Sequence, residues 1–436
     1  MRKILVWILV GLAVLATSGL VLYNMPSLHD RLAYHAEELT SRIQEIIAPP
    51  EKAVFVPQNQ VAAIVKETIA AWTATPSPTL TPAALTPQSA HGTPTPTSLP
   101  SPTPLPTAIP TPIPAKVVLN GIVHEYQKWN NCGPANLAMA LSYWKWKGDQ
   151  MDTAAYLKPN TRDKNVMPYE MASYVADKTT FKSVVRVGGD INLLKALIAG
   201  GFPVIVEKGF EGVSFDGWMG HYEVVNGYDD STSRFAVQDS YVQPANGITY
   251  ADMESNWRAF NFTYIVVYPP DRESEVMSIL GPQADEQANY HYAEQKAQTE
   301  IQTLKGRDLF FAWYNLGSSL VDLQDYSGAA SAYDEAYKIY PTIPEKQRPY
   351  RMVWYQTGPY FAYFFTGRLQ DVINLATQTI NSTTEPAIEE SWVWRARAEA
   401  MLGDDSAAID DYHTALKWHP GFQPALDGLK ALGVSN

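Results

Sequence analysis

The rhythm of hydrophobic and polar positions changes several times along this chain. From Ile4 to Tyr23 the residues are apolar and uncharged, directly after Met1-Arg2-Lys3. A run of about 20 such residues is long enough to span a bilayer, and the preceding basic pair predicts that the N-terminus stays inside. Residues 1–25 are therefore expected to form a transmembrane anchor. A cleaved signal segment is the alternative, because Leu15-Ala16-Thr17-Ser18-Gly19 offers small residues for cleavage. Either reading places the bulk of the chain outside the cytoplasm. Residues 26–75 are mixed, with helical periodicity at Val61–Ile69, and predict one or two juxtamembrane helices. Residues 76–115 lose all periodicity. Proline takes 13 of the 39 positions from 76 to 114, interleaved with Thr and Ser, which predicts an extended, disordered linker. At about 3 Å per residue it reaches on the order of 100 Å.

From 116 to 270 short apolar runs alternate with helical periods. Lys116–Leu119 predicts a strand. Leu137, Ala138, Ala140, Leu141 and Trp144 recur at helical spacing after Cys132, and Asn192–Ala199 predicts a helix stopped by Gly200-Gly201. Further strands are expected at Phe202–Val206, Tyr222–Tyr228, Arg234–Asp239 and Phe262–Val267, with Pro269-Pro270 closing the unit. Residues 285–436 carry only helical periods, and these repeat. The expected architecture is thus an α+β domain over 116–270 followed by an all-α domain over 285–436.

Composition narrows the function. Hydrophobic residues make up 46% of the chain and the net charge is −12. An acidic chain of this kind is not expected to bind nucleic acid. There is one cysteine, Cys132, so no disulfide can form within the chain. It lies in Gln127-Lys128-Trp129-Asn130-Asn131-Cys132-Gly133-Pro134-Ala135-Asn136, at the start of a predicted helix. A helix N-terminus stabilises a thiolate, and Gln127 is close enough in sequence to donate to an oxyanion. A buried free cysteine acting as a small hydrophobe is the competing reading.

A nucleophilic thiol needs a base, and the base needs an orienting group. Of eight histidines, only His124 and His221 fall in the α+β unit. His124 lies in an extended stretch expected to point elsewhere. His221 is expected at the start of a strand, after a glycine-bearing loop. Asp239 ends the next strand, joined through a turn at Asp229–Ser233 that would set its carboxylate beside the imidazole. His124, His221 and Cys132 lack zinc-ligand spacing, so no cofactor or metal is expected.

Residues 120–270 resemble the papain-like cysteine peptidases related to the bacteriocin-processing, double-glycine-cleaving enzymes, in the branch found on bacterial surface proteins. The resemblance rests on Gln127, Asn131-Cys132-Gly133-Pro134-Ala135, Gly201-Phe202-Pro203-Val204, Gly220-His221-Tyr222-Glu223-Val224-Val225-Asn226-Gly227-Tyr228 and Val237-Gln238-Asp239. It implies Cys132 as nucleophile, His221 as general base, Asp239 as orienting carboxylate and Gln127 as oxyanion donor. One departure is Ser240, where a proline usually follows the aspartate. Trp313, Leu316, Gly317, Leu320, Ala329, Tyr333, Ala336 and Pro341 match the tetratricopeptide pattern, as do Trp392, Ala408, Tyr412, Ala415 and Pro420. A weaker unit runs through Tyr360, Gly367, Val372 and Ala376, with an insertion expected near Pro344–Tyr350.

The expected function is a membrane-tethered, extracytoplasmic bacterial cysteine peptidase hydrolysing peptide bonds. Its repeats would recruit a protein substrate or partner. Two alternatives stand beside it: a non-catalytic peptide-binding scaffold, and an amide hydrolase or acyl transferase acting on cell-wall peptides.

Overall fold

A helix that is apolar on every side belongs in an interior, and the one that begins at Cys132 is such a helix. The computed structural model describes residues 26–51, 54–58, 113–211 and 217–434, with positions 14 and 17. The apolar run expected as an anchor, the Val61–Ile69 period and nearly all of the proline-rich linker lie outside the described residues. No described helix is long and apolar enough to cross a membrane.

The chain enters as a 22-residue helix, α1 (Pro26–Ile47). The α+β unit follows as β1 (Lys116–Val118), α2 (Cys132–Tyr143), α3 (Gln150–Leu157), α4 (Pro168–Lys178), β2 (Lys182–Arg186) and α5 (Ile191–Ala199). It continues through β3 (Val204–Glu211), β4 (Trp218–Asp229), β5 (Arg234–Gln238), β6 (Asn246–Thr249), α6 (Tyr250–Trp257) and β7 (Tyr264–Tyr268). The strands form one seven-stranded sheet in the order β2-β7-β3-β4-β5-β6, with β1 paired to β4. Every pairing is antiparallel.

Helix α2 is buried from Gly133 through Ser142. Its Leu137 and Leu141 share a core with Ile205, Tyr222 and Val224. Leu194 and Leu197 of α5 share another core with Val204, Val206 and Val225. In a strand, neighbouring side chains point to opposite faces, so α2 and α5 cover the two faces of the sheet. The β4–β5 pairing is bulged between Val225 and Gly227, and on its other edge β4 pairs with β1 through Gly227 and Val118. A Cβ at Gly227 would stand 2.9 Å from the Val117 carbonyl oxygen, so glycine is needed there.

Two expectations change. Strand β4 starts at Trp218, so His221 lies inside the strand rather than at its beginning. Strand β3 runs on past Val206 because Glu207 and Lys208 are carried inside, where Lys208 Nζ pairs with Glu223 Oε2 of β4 at 3.1 Å. Buried polar partners broke the apolar pattern that marks a strand end. Strands β2 and β6 and helices α3, α4 and α6 come in addition to the elements that the periodicity predicts.

The helical part consists of α7 (Glu273–Leu280), α8 (Glu286–Ile301), α9 (Gly306–Asp322), α10 (Tyr326–Ile339), α11 (Met352–Tyr355), α12 (Gly358–Phe365), α13 (Leu369–Asn381), α14 (Glu389–Met401), α15 (Asp405–Trp418) and α16 (Gln423–Ala431). The pairs α9/α10, α12/α13 and α14/α15 pack as helical hairpins, and the short α11 occupies the irregular connection between the first two. Small residues meet large ones where paired helices touch. A Cβ at Gly317 would lie 2.7 Å from the Tyr333 ring.

The sheet and the repeats share one apolar core. Trp218, Ala259 and Phe260 belong to the same buried cluster as Phe310, Phe311 and Tyr314. Trp218 stacks on Phe260 at 5.9 Å and on Phe311 at 6.1 Å between centroids. Polar contacts finish the joint: Asn315 Nδ2 donates to the Arg258 carbonyl at 2.8 Å, and Gln356 Nε2 to the Ala259 carbonyl at 2.6 Å. Burying one large aromatic is worth roughly 3 kcal/mol, so the joint outweighs any single surface ion pair.

Candidate active site

A tight turn delivers Cys132 to the mouth of the cleft. Asn130 adopts φ 51°, a left-handed conformation that asparagine tolerates better than most residues. Buried Lys158 holds this turn, its Nζ donating to the carbonyls of Asn130 at 2.8 Å and Trp129 at 3.2 Å. From α3, Gln150 Oε1 accepts from Lys128 N and from Asn131 Nδ2, both at 2.8 Å. The Asn131 carbonyl then takes the first helical bond, from Ala135 N at 3.0 Å. Cys132 is the first residue of α2, where unpaired backbone N–H groups favour a negative sulfur.

His221 and Asp239 are both buried. His221 Nε2 lies 2.9 Å from Asp239 Oδ1, which leaves Nδ1 for the thiol. The same Asp239 oxygen accepts from Tyr241 N at 2.9 Å and Val242 N at 3.1 Å. Burial would push this carboxyl up, but the charge and hydrogen bond of His221, then Lys208 and the backbone donor, hold it down to about 2. Burial would push His221 down, yet Asp239 and Cys132 together raise it to about 9. Burial would also push the Cys132 thiol up. Its hydrogen bond to His221 and the imidazole charge outweigh that and hold the thiol below its ordinary value. All three shifts favour a thiolate–imidazolium pair over the neutral pair.

Gln127 is buried beside Cys132 and anchored at both ends. Its backbone N donates to the Ser240 carbonyl at 2.9 Å, and Ser240 Oγ donates to its Oε1 at 2.9 Å. Ser240 Oγ in turn accepts from Asn136 Nδ2 at 2.9 Å. Asn136 Nδ2 also meets the Cys132 carbonyl at 2.9 Å and the Tyr222 carbonyl at 2.7 Å. With its oxygen occupied, the Gln127 carboxamide keeps its N–H groups for another acceptor. The rings of Phe210 and Tyr241 stand 5.0 Å and 6.3 Å from the His221 ring and shield it from water.

The structure thus brings Gln127, Cys132, His221 and Asp239 together. His124 stays apart, its Nδ1 3.1 Å from Gln238 Oε1. Sequence reasoning passed over Asn136, Lys158 and Ser240. Asn136 carried a signal, as a polar residue one turn after Cys132 in an otherwise apolar helix. Lys158 carried none, because its role depends on how the chain returns from α3. Ser240 stood out only as a departure from proline, and the departure has a use: a proline there would offer no hydroxyl to link Asn136 to Gln127.

The cavity that holds Cys132, Gln127 and His221 measures about 100 Å³ and is walled by Tyr34, Glu38 and Arg42 of α1 and by Arg351, Trp354 and Tyr355. A larger depression of about 630 Å³, between Lys145 and Phe181, contains no candidate nucleophile.

Residues 119–265 match the Peptidase_C39 like family, and residues 310–343 match the tetratricopeptide repeat family. The chain therefore joins a C39-like peptidase domain to tetratricopeptide repeats. Similar solved structures include a C39-like peptidase from Bacillus anthracis, at 18% identity and TM-score 0.29, covering 35% of this chain and 96% of that one. Another is a double glycine motif protease from an AMS/PCAT transporter in complex with the leader peptide, at 17% identity and TM-score 0.28, covering 35% and 94%. No curated protein matches the chain.

Proposed function

We propose that this C39-like domain with its repeats is a cysteine peptidase that works through Cys132, His221 and Asp239, with Gln127 at the oxyanion. The observation that carries the reading is His221 held between a thiol and a buried carboxylate. The thiol is shifted down and the imidazole up.

The Cys132 thiolate attacks a peptide carbonyl, forming a C–S bond while the carbonyl electrons move to oxygen. The Gln127 carboxamide donates to that oxygen. His221 passes its proton to the leaving amine as the C–N bond breaks, leaving a thioester. Neutral His221 then removes a proton from water, the hydroxide attacks the thioester, and Cys132 leaves as the thiolate. Asp239 keeps Nδ1 of the ring facing the sulfur and stabilises the imidazolium.

The apolar run at Ile4–Tyr23 and the proline-rich stretch support the remainder of the reading: a bacterial, membrane-tethered enzyme carried outside the cytoplasm on a stalk, with repeats that recruit the substrate or a partner. A thiol-directed activity probe tests the core. Cys132 is expected to be labelled in the native chain and labelled far more slowly in His221→Ala. Equal labelling of the two rules out activation by His221. Protease accessibility of the chain on intact cells tests the outside location.

A further inference from the structure

Away from the cleft, three potential ligands meet where the peptidase domain touches the last repeat. Asp163 lies in the loop between α3 and α4, Glu389 begins α14, and His419 follows α15. One ligand atom from each lies within 4.8 Å of the others. His419 Nδ1 stands 2.6 Å from Glu389 Oε1 and 3.9 Å from Asp163 Oδ2. A tetrahedral ion with bonds of 2.0–2.2 Å would space its ligands about 3.3–3.6 Å apart, between these two separations.

An acidic cluster alone is weak evidence, but the free valences here are specific. Asp163 and Glu389 are each 2% exposed, and Asp163 Oδ2 and Glu389 Oε2 have no hydrogen-bond partner. A buried carboxylate oxygen left bare is costly. The other Asp163 oxygen already accepts from Asn165 N at 3.1 Å, which fixes the carboxylate's orientation. The scaffold is fixed as well, since Lys164 N donates to the Ala387 carbonyl at 3.0 Å and ties the loop to the start of α14. Glu170 and Glu390 add negative charge nearby, and Lys158 and Lys164 add positive charge.

We propose that Asp163, Glu389 and His419 bind a divalent cation of the zinc class, which pins the last repeat to the peptidase domain. Two carboxylate oxygens and one imidazole nitrogen suit a borderline metal with one position left for water. The test uses the full chain carrying Cys132→Ala, so that the thiol cannot capture metal. After chelation and dialysis the protein is titrated with Zn²⁺ against a competing chelator. One ion per chain is expected. Asp163→Asn and Glu389→Gln, each checked for folding by circular dichroism, are expected to weaken binding at least about 100-fold, beyond the usual loss for an outer-shell partner. No binding by the parent, or unchanged binding in both variants, overturns the site.

A separate observation concerns access, and it rests on the peptidase reading. The cleft's cavity of about 100 Å³ falls well short of the roughly 300–1,000 Å³ of ordinary ligand sites. The N-terminal arm forms one wall of it. Tyr34 of α1 packs on Trp129 at 5.4 Å and on Tyr241 at 5.7 Å, and Glu37 Oε2 accepts from Arg162 Nη1 at 2.9 Å. Beyond the helix, Glu51 N donates to the Asn381 carbonyl at 3.0 Å, and Phe55 is buried 4.9 Å from the Tyr337 ring.

The geometry points to residues 26–51 and 54–57 as an intramolecular strap that occupies the peptide-binding cleft and must leave for substrate to enter. Two probes test this on the full chain: iodoacetamide, and a peptide-sized thiol probe. With Tyr34→Ala and Phe55→Asp combined, the ratio of peptide-probe to iodoacetamide labelling of Cys132 is expected to rise about ten-fold, as for an opened lid. An unchanged ratio overturns the strap. Loss of iodoacetamide labelling in the native chain would instead count against the activated thiol.

Discussion

Two buried carboxylate–imidazole pairs in this molecule have opposite electrostatics. Asp239 beside His221 is held down to about 2. Glu389 beside His419 is pushed well above the usual carboxylate range, chiefly by burial and then by the charge of Asp163. Depth is similar, and each carboxylate has an imidazole within 3 Å. The difference lies in the rest of the shell. Asp239 has backbone N–H donors and Lys208 nearby. Glu389 also has a backbone donor and the charge of Lys158, but it faces Asp163 and Glu170 and keeps a bare oxygen. A histidine neighbour therefore does not decide the charge of a buried acid. The balance between neighbouring charges and hydrogen-bond donors does.

The largest effect should come from breaking the satisfied pair. Asp239→Asn is expected to lower peptide hydrolysis about 10⁴-fold, through loss of the tautomer and of imidazolium stabilisation, read as kcat with folding checked by thermal melting. A pH profile sharpens the same point. His221 is raised to about 9, so its proton, and the leaving-group protonation it supplies, persist below that pH. Activity should fall as pH rises through about 9. The sign is the same for stability: what the raised His221 contributes is complete below its ordinary value near 6.5 and is lost as pH rises through about 9. Asp239, lowered to about 2, contributes stability above its ordinary range that disappears as pH falls through about 2. In Asp239→Asn the alkaline limb should move to lower pH; an unmoved limb would detach His221 from Asp239.

The unsatisfied pair should respond with the opposite sign. In chelator-treated protein, Asp163→Asn is expected to raise the melting temperature by a few degrees, or about 1 kcal/mol, because a repulsive charge leaves the cluster. With Zn²⁺ present the same substitution should lower it. The smallest expected effect is at Ser240. Ser240→Ala removes the hydroxyl between Asn136 and Gln127, and should lower kcat by about three- to ten-fold with KM little changed, near the 1 kcal/mol of one hydrogen bond. A change in KM alone would place Gln127 in substrate binding instead.

Much of the site was legible because its chemistry is local in sequence. Gln127 and Cys132 lie five residues apart, and His221 sits on β4 while Asp239 directly follows β5, the strand joined to it by a hairpin, so spacing and period carry the information. The repeats were legible for a related reason, since small residues such as Gly317 and Gly428 stand against tyrosine rings. The Asp163–Glu389–His419 cluster could not be read, because its members come from three distant segments and no period links them. Strand β3 was cut short because Glu207 and Lys208 look like surface residues until their partners across the sheet are known. The contacts of α1 were equally invisible: nothing in Pro26–Ile47 names the cleft it lies over.

The stacked Trp218, Phe260 and Phe311 bear on biosynthesis. The sheet's Trp218–Phe260 surface has no cover until residues 310–355 leave the ribosome, and those residues also supply Arg351, Trp354 and Tyr355, one wall of the cleft. A nascent chain that has just completed β7 thus carries an open apolar face and an unfinished cleft. Because synthesis runs from the N-terminal arm toward the repeats, the thiol gains this wall of its surroundings only after residues 351–355 have been made.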